Sequence, residues 1–227
     1  MPTSEKQALE RITVCPQPFS GTFGEMIGYD LCIHSSKATL ADFLIALNHF
    51  ATTYIADCRG CDGCCKERAP LTSLDITALA TLLDHPLYPA HQVCAAFASL
   101  TIDHNGATDI ILKREWEGCC NNLDIPGKFC TIHPQRPFVC RSHFCLPKSH
   151  RFTALREEVT NLGENELTRL LLAEEANQAL PLAGGYLATR LNPADYPENP
   201  LTGLISYEQA VIKDIVSPQL WTQLCQE

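Results

Sequence analysis

The alternation of apolar and polar positions predicts a chain that is largely helical. Between Thr39 and Asp57, the residues Leu40, Phe43, Leu44, Leu47, Ala51, Tyr54 and Ile55 recur at steps of three and four, the period that lines one face of a helix. Thr39-x-x-Asp42 offers a capping box at its start. The same pattern at Thr72 and Asp75 opens an apolar run through Leu83, which His85-Pro86 stops, and a shorter helix is expected from Pro89 to Ser99. Both are expected to pack beside the first helix. The period then changes. Leu100–Asp103 and Thr108–Lys113 are β-prone runs around His104-Asn105-Gly106-Ala107, and Asn-Gly in that position predicts a small hairpin.

From Trp116 to Lys148 the chain is rich in Cys, Pro, Asn and Gly and keeps neither period, so something other than an apolar core must order it. Helical patterning returns at Phe152 in two pieces separated at Gly163. The second piece, marked by Leu167, Leu170, Leu171 and Ala173, is expected to run to about Leu180, where Pro181 ends it. Residues 192–203 read as an exposed connection, and Ser206-x-x-Gln209 as the start of a last helix interrupted at Ser217-Pro218. The expected fold class is α+β, mostly α-helical, with cysteine-rich loops assembled around a metal centre and one small β-hairpin. Residues 1–57 form an N-terminal segment with a bracing helix, 58–151 a cysteine-cluster core, and 152–227 a C-terminal helical extension, together one compact unit.

Composition narrows this picture. With 227 residues and 45% hydrophobic content, the chain can bury a core without cross-links. Met1–Glu10 lacks the basic start and apolar run of a secretory signal, so a cytoplasmic protein is expected. A net charge of −9 argues against nucleic acid or a membrane surface as partner, since both demand a field of Lys and Arg. A protein partner is expected instead. The charge is uneven: residues 58–151 hold ten basic against nine acidic residues, whereas the flanks hold seven against seventeen.

Thirteen cysteines are far more than ordinary usage, and an odd count in a reducing compartment fits disulfides badly. Metal ligands, redox thiols or buried apolar cysteines remain. The first group is Cys58-x2-Cys61-x2-Cys64-Cys65. Two-residue gaps let a tight turn aim successive sulfurs at one centre, and Gly60 and Gly63 give that turn its freedom. The second group is Cys119-Cys120, Cys130, Cys140 and Cys145. Neighbouring side chains on extended backbone diverge, so one member of Cys64/Cys65 and one of Cys119/Cys120 is expected to be spare or to serve a second centre. Arg59, Lys66, Arg68, Lys128, Arg136 and Arg141 stand beside these cysteines in sequence and favour deprotonated sulfur.

Blander readings fail on spacing. Inert core cysteines do not gather in Gly/Pro-rich loops, although Cys15, Cys32, Cys94 and Cys225 lie singly and Cys94 reads as core packing. A thioredoxin-like C-x-x-C lacks its βαβ context, and a C-x3-C-x2-C motif begun at Cys61 and Cys65 fails at Arg68. His133 and His143 are candidates to complete a mixed site, with His133 more economically a structural residue. Asp62 and Asp124 read as turn formers.

The ordered set Cys58, Cys61, Cys64, Cys65, then Cys120-Asn-Asn-Leu-Asp124, Gly127-Lys-Phe-Cys130, Arg136-Pro137, Cys140-Arg141 and Cys145 resembles the YkgJ-type cysteine-cluster family, a zinc- or iron-chelating domain. It departs from that pattern in His133, where a tyrosine is usual, in the extra Cys119, and in its long flanks. The resemblance implies metal ligation by Cys58, Cys61, Cys64, Cys65, Cys120, Cys130, Cys140 and Cys145. A C-x2-C-x2-C run is typical of iron–sulfur sites, whereas structural zinc uses separated pairs, so an iron–sulfur cluster, 4Fe-4S, is expected ahead of zinc. The expected role is accessory, electron-transfer or maturation. Larger relatives resemble flagellin lysine N-methylases, which keeps open an S-adenosylmethionine-dependent protein lysine methyltransferase-like enzyme, although Gly184-Gly185 alone is weak support for that cofactor. A zinc-stapled interaction module is the third reading.

Overall fold

The computed structural model describes residues 5–21, 24–55, 60–83, 89–103, 107–115, 118–175, 182–185 and 191–226. In chain order its elements are α1 (Glu5–Arg11), β1 (Ile12–Gly21), β2 (Gly24–Ile33), α2 (Leu40–Tyr54), α3 (Ser73–Ala80), α4 (Ala90–Phe97), β3 (Ala98–Ile102), β4 (Thr108–Leu112), β5 (Leu123–Asp124), β6 (Phe129–Cys130), α5 (Phe138–Arg141), α6 (His150–Glu175), β7 (Leu182–Gly185), α7 (Ile212–Ile215) and α8 (Pro218–Leu224). The class is α+β and mostly helical. The chain forms two compact units: one comprises residues 1–57, 142–159 and 206–227, the other 58–141 and 160–205.

In the first unit β1 and β2 pair antiparallel over their whole length, from Ile12 opposite Ile33 to Gly21 opposite Gly24. This hairpin is additional to the one expected from the sequence. Its inner half is buried from Gly28 to Ile33. Tyr29 packs there at 4.8 Å from Phe152, 5.5 Å from Phe50 and 6.1 Å from Phe144, centroid to centroid. The buried Asp30 takes a two-pronged hydrogen bond from Arg151, whose Nη2 stands 2.7 Å from Oδ2. Burial alone would raise the Asp30 carboxyl, but donors from Arg151, Ser149 and the Leu31 N–H hold it below the usual carboxylate range. At the start of α2 the expected capping box is formed: Asp42 N–H donates to Thr39 Oγ1, and Asp42 Oδ2 accepts from Thr39 N–H. The same Oδ2 accepts from Arg11 at 2.9 Å, which ties α1 to α2.

One further difference lies near the chain's end. Ser217-Pro218 starts a helix instead of interrupting one, because Ser217 Oγ accepts from the Leu220 N–H and Pro218 occupies the first turn, where its missing N–H is no loss. Glu158 on α6 accepts from the backbone and side chain of Ser217, at 2.7 and 2.8 Å.

The second unit is built on α3, α4 and a three-stranded sheet in the order β4-β3-β7, with β3–β4 antiparallel and β3–β7 parallel. β3–β4 is the hairpin the sequence predicted; its Asn105-Gly106 turn lies outside the described residues. α3 and α4 pack against one another in this unit, whereas α2 belongs to the first. The core joins Leu71, Leu79, Val93, Leu100, Ile110 and Leu112 to Leu167 and Leu171 of α6. Helix α6 is unbroken through Gly163, contrary to the expected division. A Cβ at residue 163 would stand 2.4 Å from Thr72 Cβ, so this glycine marks a close approach to the start of α3 rather than a helix end. The expected end of this helix, at Leu180 and Pro181, lies outside the described residues. Glu174 accepts from the Ala90 and His91 N–H groups at 3.0 and 2.9 Å, which supplies α4 with the cap that Pro89 lacks.

Two outcomes follow. Gly163→Ala gains helix propensity of about 1 kcal/mol but must push Thr72 aside, and overpacking of this kind costs about 1–3 kcal/mol, so thermal denaturation is expected to show net destabilisation. Glu164, which accepts the Ile110 N–H at 2.6 Å, has its carboxyl pushed up to about 7 by burial. A folded-state value above the unfolded one contributes stability at acid pH that is lost as pH rises through about 7. Glu164→Gln is therefore expected to melt with the native protein at pH 5 and above it at pH 8, read by calorimetry.

Candidate metal centre

The two cysteine groups meet through backbone. Gly60, at φ +84° in the left-handed region that glycine tolerates, donates its N–H to the Lys128 carbonyl at 3.0 Å. The Cys120 N–H donates to the Cys65 carbonyl at 2.8 Å. Arg114 joins the same seam: its Nε donates to the Gly118 carbonyl at 2.9 Å, and its Nη2 also reaches the Lys66 carbonyl. The first group folds as a 3-10 turn over Cys64–Lys66, held by Cys65 N–H to Asp62 O and Glu67 N–H to Cys64 O. The second crosses the small β5–β6 hairpin, where Leu123 stands opposite Cys130 and Asp124 accepts the Gly127 N–H at 2.7 Å. Asp124 is thus the turn former that the sequence implied. Asp62 likewise stands in a turn, its carbonyl accepting the Cys65 N–H, and its side chain pairs with Lys66 at 3.2 Å.

Five thiols share one neighbourhood. Cys65 lies within electrostatic reach of Cys64, Cys120 and Cys130, and Cys140 within reach of Cys120 and Cys64. All five are reduced thiols and half-buried. Cys120, Cys130 and Cys140 also pack against the core of the second unit. Burial first, and the neighbouring sulfurs after it, push the Cys65 thiol up to about 12. Cys130 and Cys140 are raised chiefly by burial, with Arg136 working against the shift at both. The Arg136 Nε donates to the His133 carbonyl at 3.3 Å, the loop-carbonyl role that is economical for such a residue. Arg68, by contrast, is paired with Asp109.

The adjacent pairs resolve differently. Cys64 and Cys65 are hydrogen-bonded through their side chains and both face the group, because they sit in a 3-10 turn and not on extended backbone. Of the pair 119/120, Cys120 lies within electrostatic reach of Cys65 and Cys140, while Cys119 and Cys61 interact with Lys66. Cys61 is exposed. Cys145 is exposed in the first unit, where it interacts with Tyr29 and Lys148. Cys58 lies outside the described residues. Cys94 is buried in the core, as its sequence setting implied. Among the described residues no group of three or more Cys, His, Asp or Glu side chains is placed to hold a metal ion. Two residues of the site escaped the sequence reading. Arg114 carries no motif signal, and Asp75 was legible only as a helix cap.

The donor chemistry suits a thiophilic metal: thiols from two distant segments, in surroundings that disfavour their ionisation unless a cation accompanies it. These features define a cysteine-cluster metal-binding domain. Residues 57–161 match the family model described as "CxxCxxCC: Putative zinc- or iron-chelating domain". No curated protein and no solved structure matches the chain. Among the described residues no helix is long and apolar enough to cross a membrane.

Because the inner thiols are held protonated without metal, loading must expel protons. Titration of the metal-free protein with zinc or iron(II) in weak buffer at pH 7.5 is expected to release at least about two protons per metal ion, and retention is expected to weaken steeply towards pH 5.

Proposed function

We propose that the second unit holds an iron–sulfur cluster of the 4Fe-4S type and serves as an accessory, electron-transfer or maturation protein that works with a protein partner in the cytoplasm. The observation that carries this reading is the gathering of Cys64, Cys65, Cys120, Cys130 and Cys140 into one half-buried group. Four thiolates saturate a four-iron cluster, so one of the five is surplus. Cys58, Cys61 and Cys145 remain candidates only through the family resemblance. The C-x2-C-x2-C spacing favours a cluster over structural zinc. A bound cluster supplies one-electron chemistry; the chain's residues set its solvent access, and Arg136 offsets the charge of the thiolates. The S-adenosylmethionine reading gains nothing from Gly184-Gly185, which lie on strand β7 and not in a loop opening a helix.

The test is metal and acid-labile sulfide analysis, with an absorption spectrum, of protein purified without air. Iron with equal sulfide and a brown colour is expected, and Cys130→Ser is expected to lose both and to lower the melting temperature. Zinc without sulfide would make the cysteines a structural staple. Unchanged metal content in both Cys61→Ser and Cys130→Ser would sink the ligand assignment.

A further inference from the structure

Asp75 does more than cap a helix. Its side chain is fully buried. Oδ2 accepts from the Thr72 N–H at 2.7 Å and from the Thr72 hydroxyl at 2.8 Å, which completes the capping box of α3. Oδ1 looks the other way, and accepts the Phe138 N–H at 2.7 Å across 63 positions of sequence. Phe138 opens α5, the single turn Phe138–Arg141 that carries Cys140, and its ring is itself fully buried. Thr72 in turn is backed by Gly163 of α6, where no side chain fits between them. A continuous line of contacts therefore runs from the longest helix through Thr72 and Asp75 to the turn that presents Cys140.

We propose that Asp75 is a positioning residue for the metal centre, fixing the turn of Cys140 so that its sulfur faces Cys64 and Cys120. The inference rests on the reading of Cys140 as a ligand. Two carboxylate oxygens are required by the geometry. An amide has one acceptor where the carboxylate has two, so Asp75→Asn must set an N–H donor against either Thr72 or Phe138. Groups that orient a ligand without touching the metal typically contribute about 10–100-fold in affinity.

The experiment compares native protein, Asp75→Asn, Asp75→Glu and Thr72→Val. It measures bound metal and sulfide, the rate at which EDTA strips the metal, the thiolate-to-metal absorption band, and the melting temperature of the stripped protein. Thr72→Val removes one donor of the cap and leaves the Phe138 contact in place. The expected result is metal loss about 10–100-fold faster in Asp75→Asn with a shifted charge-transfer band, against a native spectrum and a rate within about threefold of native in Thr72→Val. Asp75→Glu keeps both acceptors but displaces them by one methylene, and is expected to fold and shift the band, so the test survives if Asp75→Asn does not fold. A native stripping rate and spectrum in both Asp75 variants overturns the proposal. So does metal loss that follows melting temperature equally in Asp75→Asn and Thr72→Val. Native protein that holds no metal at all overturns the ligand reading itself, a result distinct from either.

Discussion

The second unit depends on one constraint: sulfur atoms crowded at the edge of an apolar core cannot all ionise unless positive charge comes with them. Desolvation and mutual repulsion keep Cys65, Cys130 and Cys140 protonated. Between Cys61 and Arg141 the cysteine segments have a few backbone bonds, the Arg114 clip on two carbonyls, and a hairpin two residues deep. Their apolar support comes from the packing of Cys120, Cys130 and Cys140 against the core that Leu167 and Leu171 complete. The protein chain brings the sulfurs near one another, and a cation is the species that such a group accepts.

Both units repeat one local device. A Thr-x-x-Asp box starts α2 and α3, and in each case the aspartate also holds something remote: Asp42 the guanidinium of Arg11, Asp75 the backbone of Phe138. Burying a carboxylate is unfavourable unless donors surround it, and leaving such a group unsatisfied costs roughly 1–3 kcal/mol or more. The same few atoms therefore specify where a helix begins and which distant segment lies against it.

What could be read from the sequence follows from how local each signal is. The capped helices and the β3–β4 hairpin were legible because cap, period and turn all lie within a few residues of one another. The β1–β2 hairpin was not: Pro16, Pro18 and the glycines at 21, 24 and 28 hide its alternation, and only its pairing orders it. Gly163 and Ser217-Pro218 misled because the same residue types mark helix ends, close packing or helix starts, and distant partners decide which. At the site, the spacing of the cysteines announced the chemistry. The 3-10 turn that points Cys64 and Cys65 the same way, the Arg114 clip and the second role of Asp75 all depend on tertiary contacts that no local pattern carries.

The two prolines of β1 have an effect beyond their own hairpin. Pro16 and Pro18 stand opposite Tyr29 and Ile27, positions at which a missing N–H leaves the β1–β2 ladder intact. The outer rim of β1 consequently lacks the donors of residues 16 and 18, and a foreign strand laid along its middle would find two successive carbonyls unanswered. A long two-stranded ribbon with Met26 and Ile27 exposed near its tip is an invitation to edge-to-edge polymerisation, and on that rim the prolines withdraw it.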